Sequence, residues 1–167
     1  MKEFLIDLGR QRRYWLLLIG LGIALEAAAL YYQYALDEWP CLLCIHVRML
    51  VLAFILLGLV ALLFTASTAA MRLFHGINSL IMAWLVERSW QVLAVERGWV
   101  FGDCAMELGM PSWFALDKWL PQVFEVQTAC GYSPLILFNI TMAESLLAIS
   151  ILLLLLSAAL FVSSWLD

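Results

Sequence analysis

Charge is scarce in this chain. Asp, Glu, Lys and Arg make up 13% of its 167 residues, where a soluble domain carries about 25%. Basic charge is scarcer still, with nine Lys and Arg against thirteen Asp and Glu and a net charge of −4 at pH 7. That excludes the positive field by which proteins attract nucleic acid. Proline numbers only four and glycine nine, and no Pro-, Gly- or Ser-rich tract forms a linker. No internal repeat is present. What fills the space is apolar: 65% of the residues are hydrophobic and 13% aromatic. A fold this small cannot bury so much apolar surface away from water, so lipid is the expected solvent. Soluble enzyme, transcription factor and disordered linker are set aside, and residues 1–167 are expected to form a single integral membrane domain.

A membrane-spanning helix needs about 20 predominantly apolar residues. Four stretches qualify, at about residues 14–35, 40–64, 70–95 and 142–165. Their long runs lack the alternation of a barrel strand, and helices and closed barrels are the only solutions for backbone in hydrocarbon. The expected fold class is therefore an all-α membrane protein, a four-transmembrane-helix bundle with one long outer loop. Lys2, Arg10, Arg12, Arg13 and Arg72 fall on one side, which the positive-inside rule makes cytoplasmic, with both termini there. The loops at about residues 36–39 and 96–141 then face outward. Ala27-Ala28-Ala29 offers the small residues of a cleavage site, but the apolar run continues past them and is too long for a signal peptide. An uncleaved anchor is expected.

All four cysteines fall on the outer side: Cys41 and Cys44 at the entry to the second span, Cys104 and Cys130 in the long loop. Thiols outside a bacterial-type membrane meet an oxidising compartment, and two pairs read as two disulfides. Cys104–Cys130 alone suits a structural staple. Cys41-Leu42-Leu43-Cys44 closes almost no loop and restrains the unfolded chain little, so it suits a redox pair better. Zinc is disfavoured because only one pair has ligand spacing and His75 lies on the opposite side; no metal site is expected. Pro40 suits the first position of a helix. That puts both sulfurs in the first turn, at the positive end of the helix dipole, where a thiolate is favoured. Arg48 follows Cys44 by four residues, on the same face one turn deeper. An arginine inside a membrane marks a functional site by default, the alternative being a side chain that snorkels to the headgroups.

A redox disulfide at lipid level needs a lipid-soluble acceptor of two electrons. A quinone fits, with Arg48 hydrogen-bonding its carbonyl and stabilising the negative charge that develops on reduction. Several segments together also resemble the DsbB family, inner-membrane enzymes that re-oxidise the periplasmic thiol oxidant DsbA. They are Trp39-Pro40-Cys41-Leu42-Leu43-Cys44-Ile45 with Arg48, the acid of Ala24-Leu25-Glu26, and Leu116-Asp117-Lys118-Trp119-Leu120-Pro121-Gln122-Val123-Phe124 flanked by Cys104 and Cys130. The resemblance covers nearly the whole chain. It implies that a reduced DsbA-like thioredoxin-fold partner attacks Cys104–Cys130 through Cys104. Freed Cys130 then attacks Cys41, and Cys44 is released as the thiolate that contacts ubiquinone or menaquinone. It also implies the bacterial inner membrane as the location.

Two positions depart from the family pattern. Val47 stands where members commonly carry Glu or Gln. The outer end of the third span offers Arg88, Gln91, Glu96 and Arg97 rather than a histidine, and His46 is too close to the cysteine motif to replace it. Of the other polar residues, Glu26 is expected to face the bundle interior, more as a structural contact than as a proton carrier. Thr141-Met142-Ala143-Glu144 fits a capping box, and Asn139-Ile140-Thr141 matches a glycosylation pattern expected to be silent in a bacterium. Residues 111–124 carry apolar side chains at helical spacing, including Trp113, and suit a short interfacial helix. Two other readings remain. A vitamin K epoxide reductase-like quinone enzyme would place its C-x-x-C late in the bundle. A non-enzymatic assembly factor with structural disulfides would tolerate Arg48→Leu.

Overall fold

The computed structural model describes residues 9, 11–102, 105–111, 114–137 and 139–165. Four helices long and apolar enough to cross a membrane dominate it: α1 (Arg12–Ala35), α2 (Leu42–Ala61), α3 (Thr68–Glu96) and, after the long connection, α6 (Met142–Ser164). The connection holds two single-turn helices, α4 (Leu116–Trp119) and α5 (Pro121–Phe124), then a small antiparallel pair, β1 (Leu135–Leu137) with β2 (Ile140–Thr141). The expected interfacial helix is thus two turns broken at Leu120, whose backbone (φ −135°, ψ 64°) leaves the helical region just before Pro121. Proline disfavours helical backbone in the residue before it, which accounts for the break.

Three of the four long helices, α2, α3 and α6, begin on a side chain that accepts from one of their orphan amides. Ser67 Oγ accepts from Ala70 N at the start of α3, and Thr141 with Glu144 completes the capping box of α6, as the spacing predicts. At α2 the sequence expectation needs correction. Pro40 is not the first helical residue. Cys41 is the N-cap, extended at φ −85° and ψ 170°, and its Sγ accepts from Cys44 N at 3.3 Å. The physical reason is that Pro40 is occupied elsewhere, because its carbonyl accepts amides from the long connection. The turn before it is made by Asp37 in the left-handed region (φ 54°), a conformation that Asp tolerates better than most residues.

Packing runs mainly between neighbours in sequence, with the most extensive contact between α3 and α6. Helices α1 and α2 cross where side chains are missing. A Cβ on Gly22 would stand 2.5 Å from Ile55 Cγ1, and one on Gly58 would stand 2.9 Å from Ile19 Cγ1. Small residues permit such close approach of backbones in a membrane bundle. The core centres on Trp15, Phe54, Met71, Met82, Leu85 and Leu160, all essentially buried. Among its apolar side chains, Asn78 donates to Ser157 Oγ (2.8 Å) and Tyr14 Oη (3.3 Å), tying α1, α3 and α6 together. Outward-facing leucines such as Leu17, Leu63, Leu80 and Leu152 are exposed, as lipid contact demands. Among the described residues α1 and α6 barely touch, and the space between them becomes important at the cysteine end.

Candidate functional site

The site is built where the long connection folds back onto the start of α2. Gln127 N and Thr128 N both donate to the carbonyl of Pro40 (3.0 and 3.3 Å), and Cys41 forms an isolated parallel bridge with Thr128. A second, smaller apolar cluster of Leu42, Ile45, Phe124 and Val126, with Cys130 packed against it, holds the connection in place. The result brings together sulfurs distant in sequence. The Cys41 sulfur accepts from Cys44 N and lies within interaction range of the thiols of both Cys130 and Cys44. Cys41 and Cys44 are thiols, Cys41 buried and Cys44 partly exposed. Cys104 lies outside the described residues.

Arg48 is 6% exposed, so it does not snorkel. Its guanidinium donates to Gln33 Oε1 (2.6 Å), to the carbonyl of Val123 (2.9 Å) and to the carbonyl of Ala29 (3.2 Å). Those three bonds occupy three of the five donors of an arginine and link α2 to α1 and to the long connection. Gln33 in turn donates to Gln127 Oε1 (3.3 Å) and the carbonyl of Gln122 (3.4 Å), while Tyr34 Oη donates to the carbonyl of Gln122 (2.6 Å). A buried polar group is costly unless hydrogen-bonded, and this lattice meets that requirement for Arg48.

A cavity of about 380 Å³ opens beside these groups. Cys44 and Arg48 of α2 line it, with Glu26 and Ala29 of α1 and Leu146 and Ile149 of α6 opposite. Its mouth carries Asp37, Glu38 and Tyr132, the last donating to Glu38 Oε1 at 3.3 Å. Both carboxylate oxygens of Glu26 are buried without a hydrogen-bond partner. The cavity is thus mainly apolar, with a thiol, a guanidinium and a carboxyl group on its walls.

The sequence reading placed Cys41, Cys44 and Arg48 at one point, and the structure gathers all three with Cys130. It did not find Gln33, although the signal was present: Gln33 follows Glu26 by seven residues and so lies on the same helix face. Val47 lines the cavity, so the wall beside Arg48 is apolar at this point. The third helix supplies Val92 to the wall. Arg88, Gln91 and Arg97 are engaged elsewhere: Arg88 with Glu87 and Gln91, and Arg97 with Glu144. His46 lies within electrostatic range of Arg88 and Glu87 on α3. No group of His, Cys, Asp and Glu suited to a metal ion occurs among the described residues.

Four membrane-crossing helices and a cluster of thiols at one end define a multi-pass membrane protein of thiol–disulfide chemistry. Residues 11–160 match the family described as Disulfide bond formation protein DsbB. The chain is 34% identical over 154 residues to Disulfide bond formation protein B 2 of Pseudomonas aeruginosa, covering 89% of each. It is 30% identical over 141 residues to Disulfide bond formation protein B of Shewanella denitrificans, 84% of this chain and 81% of that relative. With the protein of that name from Photorhabdus laumondii it shares 31% identity over 133 residues, 78% of each. This chain belongs to the DsbB family, membrane proteins of disulfide-bond formation, and that assignment supports a disulfide-generating oxidoreductase.

Proposed function

We propose that the protein oxidises the thiols of a periplasmic DsbA-like protein and passes the electrons, through Cys104–Cys130 and then Cys41–Cys44, to a membrane quinone, ubiquinone or menaquinone. The observation that carries this reading is the position of Cys41, within interaction range of both Cys130 and Cys44, with Cys44 lining the cavity. The bacterial inner membrane, with both termini cytoplasmic, is the location that puts these sulfurs in an oxidising compartment.

The residues of the cavity fit a quinone. Its walls are largely apolar, Arg48 reaches it with donors beyond the three bonds it makes within the protein, and the unpartnered oxygens of Glu26 mark a polar spot that nothing in the protein satisfies. The quinone, when bound, supplies the capacity to take up two electrons and two protons. The chain's own part is exchange and positioning. A thiolate of the partner attacks Cys104 and expels Cys130 as the thiolate, which attacks Cys41; the partner's second thiol then displaces Cys104, whose thiolate frees Cys41 and closes Cys104–Cys130 again. Breaking Cys41–Cys44 leaves the electron pair on Cys44, whose sulfur faces the cavity. Arg48, fixed by Gln33 and two carbonyls, holds its positive charge beside that sulfur and steadies negative charge as it develops.

The test is a turnover assay in detergent with reduced DsbA-like partner and a soluble quinone. Wild-type protein is expected to oxidise one partner dithiol per quinone consumed. Arg48→Leu is expected to raise the quinone concentration needed while leaving exchange with the partner intact. Partner oxidation without quinone loss would overturn the reading. So would an Arg48→Leu variant that loses the partner step and keeps quinone reduction. A structural-disulfide protein would show neither activity.

A further inference from the structure

We propose that Glu26 carries a proton between the cavity and the acceptor reduced there, rather than serving only as a counter-charge to Arg48. The inference rests on the reading of the cavity as a quinone site and adds to it a residue and a step. Three observations support it. Glu26 lines the same cavity as Cys44 and Arg48. Both of its carboxylate oxygens are buried, and neither has a hydrogen-bond partner. Arg48 interacts with it electrostatically, yet the guanidinium spends its hydrogen bonds on Gln33, Val123 and Ala29. A carboxyl group kept only as a counter-ion would be expected to accept from that guanidinium, because charge-assisted bonds are the strong ones. Here it is held close but left open toward the cavity.

Proton balance gives this placement a use. Closing Cys41–Cys44 releases two electrons and two protons, and reducing a quinone to a quinol consumes two of each. No outside proton is needed, but both protons start at sulfurs at one end of the cavity, while the acceptor has oxygens at two ends. Glu26, one helix away from the thiols, closes that gap. Its O–H bond breaks as an O–H bond forms on the acceptor, and the carboxylate then takes up a proton released from the thiols. The titratable and charged groups sharing the cavity walls with it are Tyr32 on α1 and Arg48 and Cys44 on α2, with Asp37, Glu38 and Tyr132 at the mouth; Arg48 is the charge that acts on it directly. The lining contributed by α3 and α6 is not titratable.

Glu26→Gln keeps the shape and removes the transferable proton. We expect single-turnover quinone reduction to fall about 100-fold, the scale of a lost general acid, with a flattened pH profile. The rate is read at saturating quinone, and disulfide exchange with the partner should be retained. Glu26→Asp should restore part of the rate. A second readout needs no variant to fold: the redox-difference infrared spectrum of wild-type protein should show a protonated carboxyl band that shifts in heavy water. Where Glu26→Gln folds, that band should vanish in it. An undiminished rate with an unchanged pH profile, or a wild-type spectrum without such a band, overturns the proposal. Absence of quinone reduction in wild-type protein would instead count against the underlying reading.

Discussion

Gln33 shows how one side chain ties a site together. It accepts from Arg48 through Oε1 and donates through Nε2 to the connection that carries Cys130. Gln33→Leu would leave a buried guanidinium short of its shortest bond, at a cost of about 1–3 kcal/mol, and would loosen the connection over Cys41. We expect a lower unfolding temperature and slower transfer from Cys130 to Cys41, followed by trapping mixed disulfides at timed intervals. Arg48 itself was legible from the sequence, because charge in a span and a four-residue offset from Cys44 are both visible there. Gln33 is harder to single out: its seven-residue offset from Glu26 puts it on the same helix face, but that offset alone does not show that it meets Arg48. The contact of Cys130 with Cys41 depends on a fold-back across 89 residues, which spacing does not encode.

At the level of elements, caps and crossings hold the frame. The capping box of α6 could be read directly, and Thr141 and Glu144 form both of its bonds. Thr141→Ala should cost about 1 kcal/mol, measured by thermal unfolding in detergent. The start of α2 was misread by one step, because proline is common at the first helical position but here its carbonyl serves the long connection. The crossing of α1 on α2 makes a sharper test. Gly22→Leu should force Ile55 and Phe54 aside and cost about 1–3 kcal/mol from overpacking, moving Glu26 and Gln33 away from Arg48. Gly20→Leu, where an added Cβ meets nothing within 4 Å, should be close to neutral. Equal losses from the two would contradict this account of the crossing.

The whole molecule is an asymmetric bundle, closed where α3 meets α6 and open between α1 and α6 at the cysteine end. Four spans were evident from the apolar runs, and the observed helices Arg12–Ala35, Leu42–Ala61, Thr68–Glu96 and Met142–Ser164 follow them to within a few residues. The cavity was not evident, because it lies between helices far apart in sequence that barely touch among the described residues. Cys44 lies on its wall, and the proposed function makes that sulfur the last before the quinone. The most direct measurement is anaerobic turnover of Cys44→Ser with reduced partner and quinone, with disulfides mapped by mass spectrometry. The account predicts no quinone loss and accumulation of a Cys41–Cys130 link. Quinone reduction at the wild-type rate in that variant would contradict it.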